Sequence, residues 1–193
     1  MKIFIAKPSP YVRRALIAAH EKNLLDRLDV TPINPWDDPA ELHAHSPIGR
    51  LPTLVLDDGR TMVESLVIAQ YFNEIGDGPE LGGGDATDAL RRAGIHQGII
   101  DSTYAVVIEG RRPESKRWDD LVARQNSVIE RTVNAAEVGE DFDYGDITLA
   151  SALGYLSFRL PEIDWRGWRP DLGEWMDGLQ SRPSVRLTAP DAA

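Results

Sequence analysis

A glycine-rich stretch divides the chain into two parts that differ in hydrophobic periodicity. Residues 76–79, Gly-Asp-Gly-Pro, and residues 82–84, three consecutive glycines, interrupt the sequence more heavily than any other segment. Such a composition is typical of a surface linker between domains. The sequence therefore predicts one domain over residues 1–76, a linker over residues 77–86 and a second domain over residues 87–193.

The first part alternates between strand-like and helix-like segments, which is the pattern of a small α/β unit. Ser9 and Pro10 have the order of an N-cap and a first helical residue. Residues 38–41, Asp-Pro-Ala-Glu, have the order of a capping box. The predicted elements are a strand at 2–6, a helix from 10, a strand at 28–32, a short helix from 39, a hairpin of strands at 53–56 and 60–63, and a helix opened by residues 64 and 65.

The second part shows only helical periodicity. From Thr87 onward, apolar residues recur at helical spacing, and no strand pattern of comparable strength occurs. A last helix is expected to begin at Pro170 and to end at Arg182 and Pro183. The second domain is therefore predicted to be an all-α helical bundle.

The charge balance argues against nucleic acid and membranes as partners. Lys and Arg number 21 against 31 Asp and Glu, which gives a net charge of −10, and a field of that sign repels phosphate backbones and anionic lipids. No segment approaches the ~20 apolar residues of a membrane helix. The first strand meets Pro8 and Pro10 too early to form the core of a signal peptide. We expect a cytoplasmic protein.

The absence of cysteine restricts the available chemistry. A chain with no Cys has no disulfide, no thiolate metal site and no cysteine nucleophile, so any reactive thiol must arrive with a ligand. His43 and His45 lie near Asp37, Asp38 and Glu41, but they lack a third ligand at a defined spacing. No metal site is predicted.

Three short segments of the first part have properties suited to a peptide-like ligand. Ser9 lies where a strand meets a helix N-terminus, which favours a bound anion. A cis bond at Pro52 would turn the backbone of Leu51 outward, where it can pair with an extended peptide. Ser65 with the next helix N-terminus could hold a carboxylate, and Glu64 an ammonium. Taken singly, plain helix caps and an ordinary trans proline explain these segments equally well.

Taken together, these segments resemble those of the glutathione S-transferase family, over essentially the whole chain. Residues 9–12, Ser-Pro-Tyr-Val, occupy the place of the Cys-Pro-Tyr-Cys of glutaredoxins, and residues 46–54 are similar to the segment that ends in the family's cis-proline. Residues 64 and 65 match the pair that holds the γ-glutamyl group. Residues 145–150 resemble the family's capping motif, although Ser151 replaces its usual Asp, so two alternatives stay open: a weaker box, or Asp146 as the cap in its place. Overall the chain resembles the bacterial serine-type members.

The resemblance implies a thioredoxin-like N-terminal domain followed by the helical domain, and glutathione as co-substrate without a metal. It implies that Ser9 stabilises the thiolate of glutathione, with Tyr11 as the rival donor. The electrophile pocket is expected between the domains, along the first long helix of the second. The residues expected to bind glutathione are Arg50, Leu51, Pro52, Glu64, Ser65 and Trp36, and those expected to line the electrophile pocket are Ser102, Tyr104 and Arg111.

The implied function is a detoxifying glutathione transferase that conjugates glutathione to a small electrophile and works as a homodimer. Two alternatives stay open from the sequence. One is a non-catalytic glutathione-binding or protein-interaction module on the same fold. The other is a glutathione-dependent isomerase, in which glutathione adds and leaves without net consumption.

Overall fold

The computed structural model describes residues 1–190, which form two compact units. The first unit comprises Met1–Leu81 together with the C-terminal segment from Ser184, and the second comprises Gly82–Pro183. Within residues 1–190, no helix combines the length and the apolar composition needed to cross a membrane. The two units are described in turn.

A four-stranded mixed sheet organises the first unit. The strands are β1 (Lys2–Ile5), β2 (Asp29–Pro32), β3 (Thr53–Val55) and β4 (Thr61–Met62), and their order in the sheet is β2-β1-β3-β4. β1 pairs in parallel with β2 and antiparallel with β3, so the hairpin of β3 and β4 extends the sheet beyond β1. The predicted α/β class of this part is confirmed.

Three helices accompany the sheet: α1 (Pro10–Glu21), α2 (Ala40–His45) and α3 (Ser65–Ile75). Single 3-10 turns occur at Leu25–Arg27 and Pro35–Asp37. α1 and α3 pack against each other, because each presents an apolar face, and the large side chains between helices and sheet are fully buried. These core residues include Ile3, Phe4, Ile17, Leu54, Ile68 and Phe72.

The predicted capping box at the start of α2 is wrong. The N-cap is Pro39, and no side chain caps the first turn. Asp38 adopts a left-handed conformation with φ of 50°, and its carboxylate lies 3.3 Å from Nε2 of the His43 side chain instead of capping the backbone amides of the first turn. The Asp-Pro-Ala-Glu pattern thus predicted the short helix correctly but its cap incorrectly.

The predicted linker begins in close contact with α1. Lys22 is fully buried, and its Nζ donates to the carbonyl oxygens of Gly78 at 2.7 Å and Pro79 at 3.0 Å. A Cβ at Gly78 would lie 1.8 Å from the carbonyl oxygen of Glu21, so only glycine permits this approach. Part of the glycine-rich stretch therefore packs against α1. The predicted domain boundaries, at residues 76 and 87, stay a prediction.

The C-terminal segment belongs to the first unit through two contacts with α1. The short helix α9 (Pro183–Arg186) brings the Ser184 hydroxyl to the carboxylate of Glu21, to which it donates. Nη2 of the buried Arg13 donates to the carbonyl oxygen of Val185 at 3.2 Å. Ser184 and Val185 thus contact the first helix near both of its ends.

The second unit is helical throughout its described residues. Its helices are α4 (Ala86–Gly110), α5 (Asp119–Asn134), α6 (Tyr144–Arg159), α7 (Trp165–Trp168) and α8 (Pro170–Gly178), with 3-10 turns at Glu114–Lys116 and Leu179–Ser181. α4 packs along both α5 and α6. α6 is the central helix, since every residue from Tyr144 to Leu153 is buried. The predicted all-helical bundle is confirmed.

The predicted last helix is too long. α8 ends at Gly178 and a 3-10 turn follows, so the helical path from Pro170 does not reach Arg182, and α9 follows it. Glycine has a low helix propensity, and the Ser181 hydroxyl donates to the carbonyl oxygen of Gly178 at 2.8 Å. Both features favour a turn at this point.

A buried ionic network begins α6. Asp143 is the N-cap, and its Oδ1 accepts from the amides of Gly145 at 2.8 Å and Asp146 at 3.3 Å. Arg92 of α4 donates to the carboxylates of Asp143 and, at 2.7 Å and 3.2 Å, of Asp88 and Asp146. Asp143 therefore caps α6, and the expectation that Asp146 takes that place is wrong. Asp146 instead accepts from the amide of Gly139 at 3.0 Å.

Asp146 makes the stability of the second unit dependent on pH. Burial outweighs the Gly139 amide and the charge of Arg92, and it raises the pKa of Asp146 to about 6. The unfolded carboxyl has a pKa of about 3.9, so between these values the folded state binds more protons than the unfolded state. The stabilisation from this group is therefore fully present below the pKa of the unfolded carboxyl, and it is lost as the pH rises through the pKa of the folded one.

The prediction concerns the free energy of unfolding of the wild type minus that of Asp146→Asn, measured at the same pH. We predict that this difference falls by about 1 kcal/mol between about pH 5 and about pH 7. Urea denaturation at a series of pH values measures it. Asp171→Asn is the control, because Arg169 lowers the pKa of Asp171 to about 2, outside this range. A difference for Asp146→Asn that stays flat or rises with pH would contradict the prediction.

Candidate functional site

Ser9 lies at the mouth of α1, as the sequence predicts. It is the N-cap, with φ of −83° and ψ of 123°, and its Oγ accepts from the amide of Val12 at 3.3 Å. Within residues 1–190 its hydroxyl donates no hydrogen bond of its own. A half-buried hydroxyl proton is therefore available beside the positive end of a helix. Tyr11 lies in the first turn and is also half-buried.

The segment before β3 presents an unpaired backbone. The Leu51–Pro52 peptide bond is cis, as the family resemblance implies, and Pro52 is buried while Leu51 is half-buried. Oγ1 of Thr53 donates to the carbonyl oxygen of Arg50 at 2.7 Å, which closes the turn. Within residues 1–190 the backbone of Leu51 makes no hydrogen bond. Its N–H and C=O groups are free to pair with a ligand.

The start of α3 combines an unusual backbone with a buried hydroxyl. Glu64 is the N-cap, with φ of 67° and ψ of 110°, and no side chain caps the first turn. A positive φ at a non-glycine residue is strained and is found most often at functional sites. Ser65 is 1% exposed, whereas the Glu64 carboxylate is exposed and lies 3.9 Å from Nη1 of Arg50. The free first-turn amides favour an anion here.

Arg14 of α1 holds the Ser65 hydroxyl, and sequence analysis missed it. Its guanidinium donates to Oγ of Ser65 from Nε at 3.0 Å and from Nη2 at 2.7 Å. Arg14 is 3% exposed, so this is a buried cation directly behind the start of α3. Because both bonds occupy the oxygen of Ser65, its proton points to another acceptor. The available signal was an arginine pair within the apolar pattern of α1, at residues 13 and 14.

Trp36 lies apart from these elements in the chain, on the 3-10 turn after β2. It is 64% exposed, and its backbone amide donates to Oδ1 of Asn34 at 3.2 Å. The structure thus places Ser9, the Leu51 segment, Ser65 and Trp36 in one unit. The role of each in binding a ligand stays a prediction.

The residues expected to line the electrophile pocket lie on two faces of α4. Ser102 is 4% exposed, whereas Tyr104 is 40% exposed. Positions two apart on a helix do not face each other, whereas positions seven apart do. Tyr104 therefore shares a face with Arg111, the exposed C-cap residue of α4, and Ser102 is turned into the helical core.

Two family models match the chain. The model of the glutathione S-transferase N-terminal domain matches residues 8–75, and that of the C-terminal domain matches residues 115–178. The chain belongs to the glutathione S-transferase family. Its first unit has the thioredoxin-like fold of that family, as the resemblance implied.

Similar proteins support this membership over the whole length. The uncharacterized GST-like protein YibF of Escherichia coli K12 is 29% identical over all of both chains. Glutathione S-transferase 2 of Saccharomyces cerevisiae is 34% identical over 96% of this chain and 88% of its own. A glutathione transferase family member from Pseudomonas fluorescens Pf-5, solved with bound glutathione, is 31% identical over 98% of both chains, with a TM-score of 0.92.

Within residues 1–190 no three His, Asp or Glu side chains are grouped so that they could hold a metal ion. The groups at the start of α1 and α3 are hydroxyls and backbone amides, with the Arg14 guanidinium buried behind Ser65. Such groups stabilise negative charge.

We predict that Ser65→Ala lowers the free energy of unfolding by about 1–3 kcal/mol, because it removes the acceptor of two N–H groups of a buried charged residue. Urea denaturation measures the loss. Ser127→Ala is the matched control, since the hydroxyl of Ser127 is exposed on α5 and donates only to its own helix, at the carbonyl oxygen of Ala123. We expect that control to stay within about 0.5 kcal/mol of the wild type. Equal losses for both variants would show that the Arg14 contact contributes nothing.

Proposed function

We propose that this protein is a glutathione transferase, which binds glutathione, stabilises its thiolate with Ser9 and conjugates it to a small electrophile. The observation that carries the proposal is the Ser9 hydroxyl at the N-terminus of α1, whose proton no acceptor within residues 1–190 takes up. The chain itself has no cysteine, so the thiol is supplied by the tripeptide. The Pseudomonas fluorescens relative with bound glutathione supports this choice of thiol.

The first task of the site is to ionise that thiol. A free thiol has a pKa of about 8.5, so only a few per cent is thiolate at neutral pH. A hydrogen bond to a charged group contributes about 1.5–3 kcal/mol, and a helix N-terminus adds about 0.3–1 kcal/mol. At about 1.36 kcal/mol for each unit, these contributions lower the pKa of the bound thiol by roughly one to three units. The thiolate then becomes a large fraction of the bound ligand.

The rest of the tripeptide is held by the other two segments. The Ser65 hydroxyl, which Arg14 contacts, and the amides of α3 donate to the γ-glutamyl carboxylate, and the Glu64 carboxylate pairs with the ammonium. The unpaired backbone of Leu51, before the buried Pro52, takes the cysteinyl main chain as an added strand would. Arg50 and Trp36 are assigned to the glycine end, where a cation and an indole N–H can meet a carboxylate.

The reaction itself is a nucleophilic displacement or addition at the electrophile. The thiolate forms a carbon–sulfur bond, the leaving group departs with its electron pair, and the proton of the thiol passes to solvent. Residues 1–76 are assigned to glutathione and residues 87–193 to the electrophile, with Ser102, Tyr104 and Arg111 as its candidate contacts. A cytoplasmic homodimer that acts in detoxification completes the proposal and rests on the family resemblance.

We predict that Ser9→Ala lowers kcat/KM for conjugation of chlorodinitrobenzene by at least about tenfold, because the thiolate loses a charged hydrogen bond. The pH profile of kcat/KM should also move to higher pH, since the pKa of the bound thiol rises towards that of the free one. Absorbance of the conjugate measures both quantities. Ser127→Ala, on the exposed face of α5, is the control for the loss of a hydroxyl.

Two outcomes would contradict this assignment in different ways. Activity of Ser9→Ala within about twofold of the wild type would remove Ser9 as the thiolate donor, and a loss in Tyr11→Phe would then identify Tyr11. Retention on glutathione-agarose without turnover of any electrophile would instead identify a binding module. Product analysis that shows no net consumption of glutathione would identify an isomerase.

A further inference from the structure

Arg159, the last residue of α6, carries a positive charge that no carboxylate in residues 1–190 neutralises. It forms no ion pair there, and its Nε is buried without a hydrogen-bond partner. Two other buried or half-buried arginines of this unit form ion pairs: Arg92 with Asp143 and Arg169 with Asp171. Arg159 is half-buried, and in a chain with 31 acidic residues against 21 basic ones, a half-buried guanidinium without a carboxylate is a feature that needs an explanation.

Aromatic rings surround the Arg159 guanidinium. Its central carbon lies 4.7 Å from the ring centroid of Phe158 and 5.8 Å from that of Tyr155. Phe158 is 41% exposed, whereas Tyr155 is 3% exposed. The guanidinium donates a hydrogen bond to the Tyr155 hydroxyl, whereas its buried Nε–H has no acceptor within residues 1–190. Ring faces stabilise a guanidinium without using its N–H groups, so that Nε–H is able to donate to an anion.

Two residues of α4 add polar groups to the same place. Tyr104 and Arg111, which share a face of α4, both lie within electrostatic range of the Tyr155 hydroxyl. Burial raises the pKa of Tyr155 against the opposing charges of Arg159 and Arg111. Tyr155 is therefore protonated at neutral pH and is a donor, as both guanidiniums are. The cluster combines hydrogen-bond donors and positive charge with the partly exposed rings of Phe158 and Tyr104.

Such a cluster matches one class of ligand. A carboxylate accepts two parallel hydrogen bonds from a guanidinium, and a planar apolar body attached to it packs on aromatic rings. A neutral electrophile would leave the buried Nε of Arg159 without a partner, which costs free energy.

We propose that Arg159, together with Tyr155 and Arg111, binds the carboxylate of an acidic, planar electrophile. The proposal rests on the transferase function proposed above and specifies its second substrate as an organic acid with an aromatic or conjugated body. In the reaction with a halogenated acid, the carbon–sulfur bond forms as the carbon–halogen bond breaks. Halide leaves with the electron pair, the proton of the thiol passes to solvent, and the carboxylate remains unchanged.

The test compares two aryl chlorides that differ in one carboxylate, chlorodinitrobenzoate and chlorodinitrobenzene. The measured quantity is the ratio of kcat/KM for the acid to kcat/KM for the neutral compound. We expect Arg159→Gln to lower this ratio by at least about tenfold, the factor that corresponds to a lost charged hydrogen bond. Arg159→Lys keeps the positive charge but not the planar guanidinium. We expect its ratio to lie between that of the wild type and that of Arg159→Gln. An unchanged ratio in Arg159→Gln overturns the proposal.

Arg124→Gln is the matched control for the change in net charge. Arg124 is exposed on α5 and forms no ion pair within residues 1–190. We expect its ratio to stay within about twofold of the wild type, because screened surface charges act weakly over distance. A loss as large as that of Arg159→Gln would show a general field effect and overturn the proposal.

A binding measurement separates this proposal from the transferase function. Dinitrobenzoate, which has no leaving group, is titrated calorimetrically into the wild type and the two glutamine variants. Dinitrobenzoate that binds more weakly to Arg159→Gln, but not to Arg124→Gln, supports the subsite. This holds even if the wild type conjugates neither aryl chloride, since that result would contradict only the transferase function. Equal binding of dinitrobenzoate and uncharged dinitrobenzene to the wild type overturns the subsite, and this comparison needs no variant to fold.

Discussion

The contact between the Arg14 guanidinium and the Ser65 hydroxyl holds the candidate site together. Ser9 caps α1 and Ser65 is the first residue of α3, so a bond between the two helices fixes one N-terminus relative to the other. Both partners are almost fully buried, where a charged hydrogen bond is screened little and a lost partner is costly. The positions of both hydroxyls therefore depend on a residue that need not touch the ligand.

The second unit uses a buried arginine in a comparable way. Arg92 lies between α4 and the start of α6 and donates to three carboxylates, one of which caps α6. Removing one member would leave the remaining charges buried without compensation, which is more destabilising than the pair is stabilising. Arg159 differs from Arg92 because its partners are rings rather than carboxylates. That contrast within one unit separates an arginine used for folding from one suited to a ligand.

Local signals in the sequence were sufficient for the elements that carry the site. Ser9 and Pro10 identify the start of α1, because an N-cap and a first-turn proline act within a few residues. The role of Arg14 could not be derived in that way, since its partner lies 51 residues away and only the fold brings them together. The prediction that Asp38 caps α2 was wrong for a related reason. The local pattern is compatible with a cap, but the backbone of Asp38 adopts a left-handed conformation instead. Asp143 was not predicted as the cap of α6, because it lies outside residues 145–150, which resemble the family motif.

The return of the C-terminal segment to α1 bears on how the chain folds during synthesis. Ser184 and Val185 complete the surroundings of Glu21 and Arg13, yet they are translated more than 160 residues after them. The sheet and α1 can assemble early, but these two contacts form only after residues 184 and 185 have left the ribosome. An early fragment that ends at the glycine-rich stretch would keep the Arg13 side chain without its carbonyl acceptor. α9 is thus synthesised late and stabilises a helix that is synthesised early.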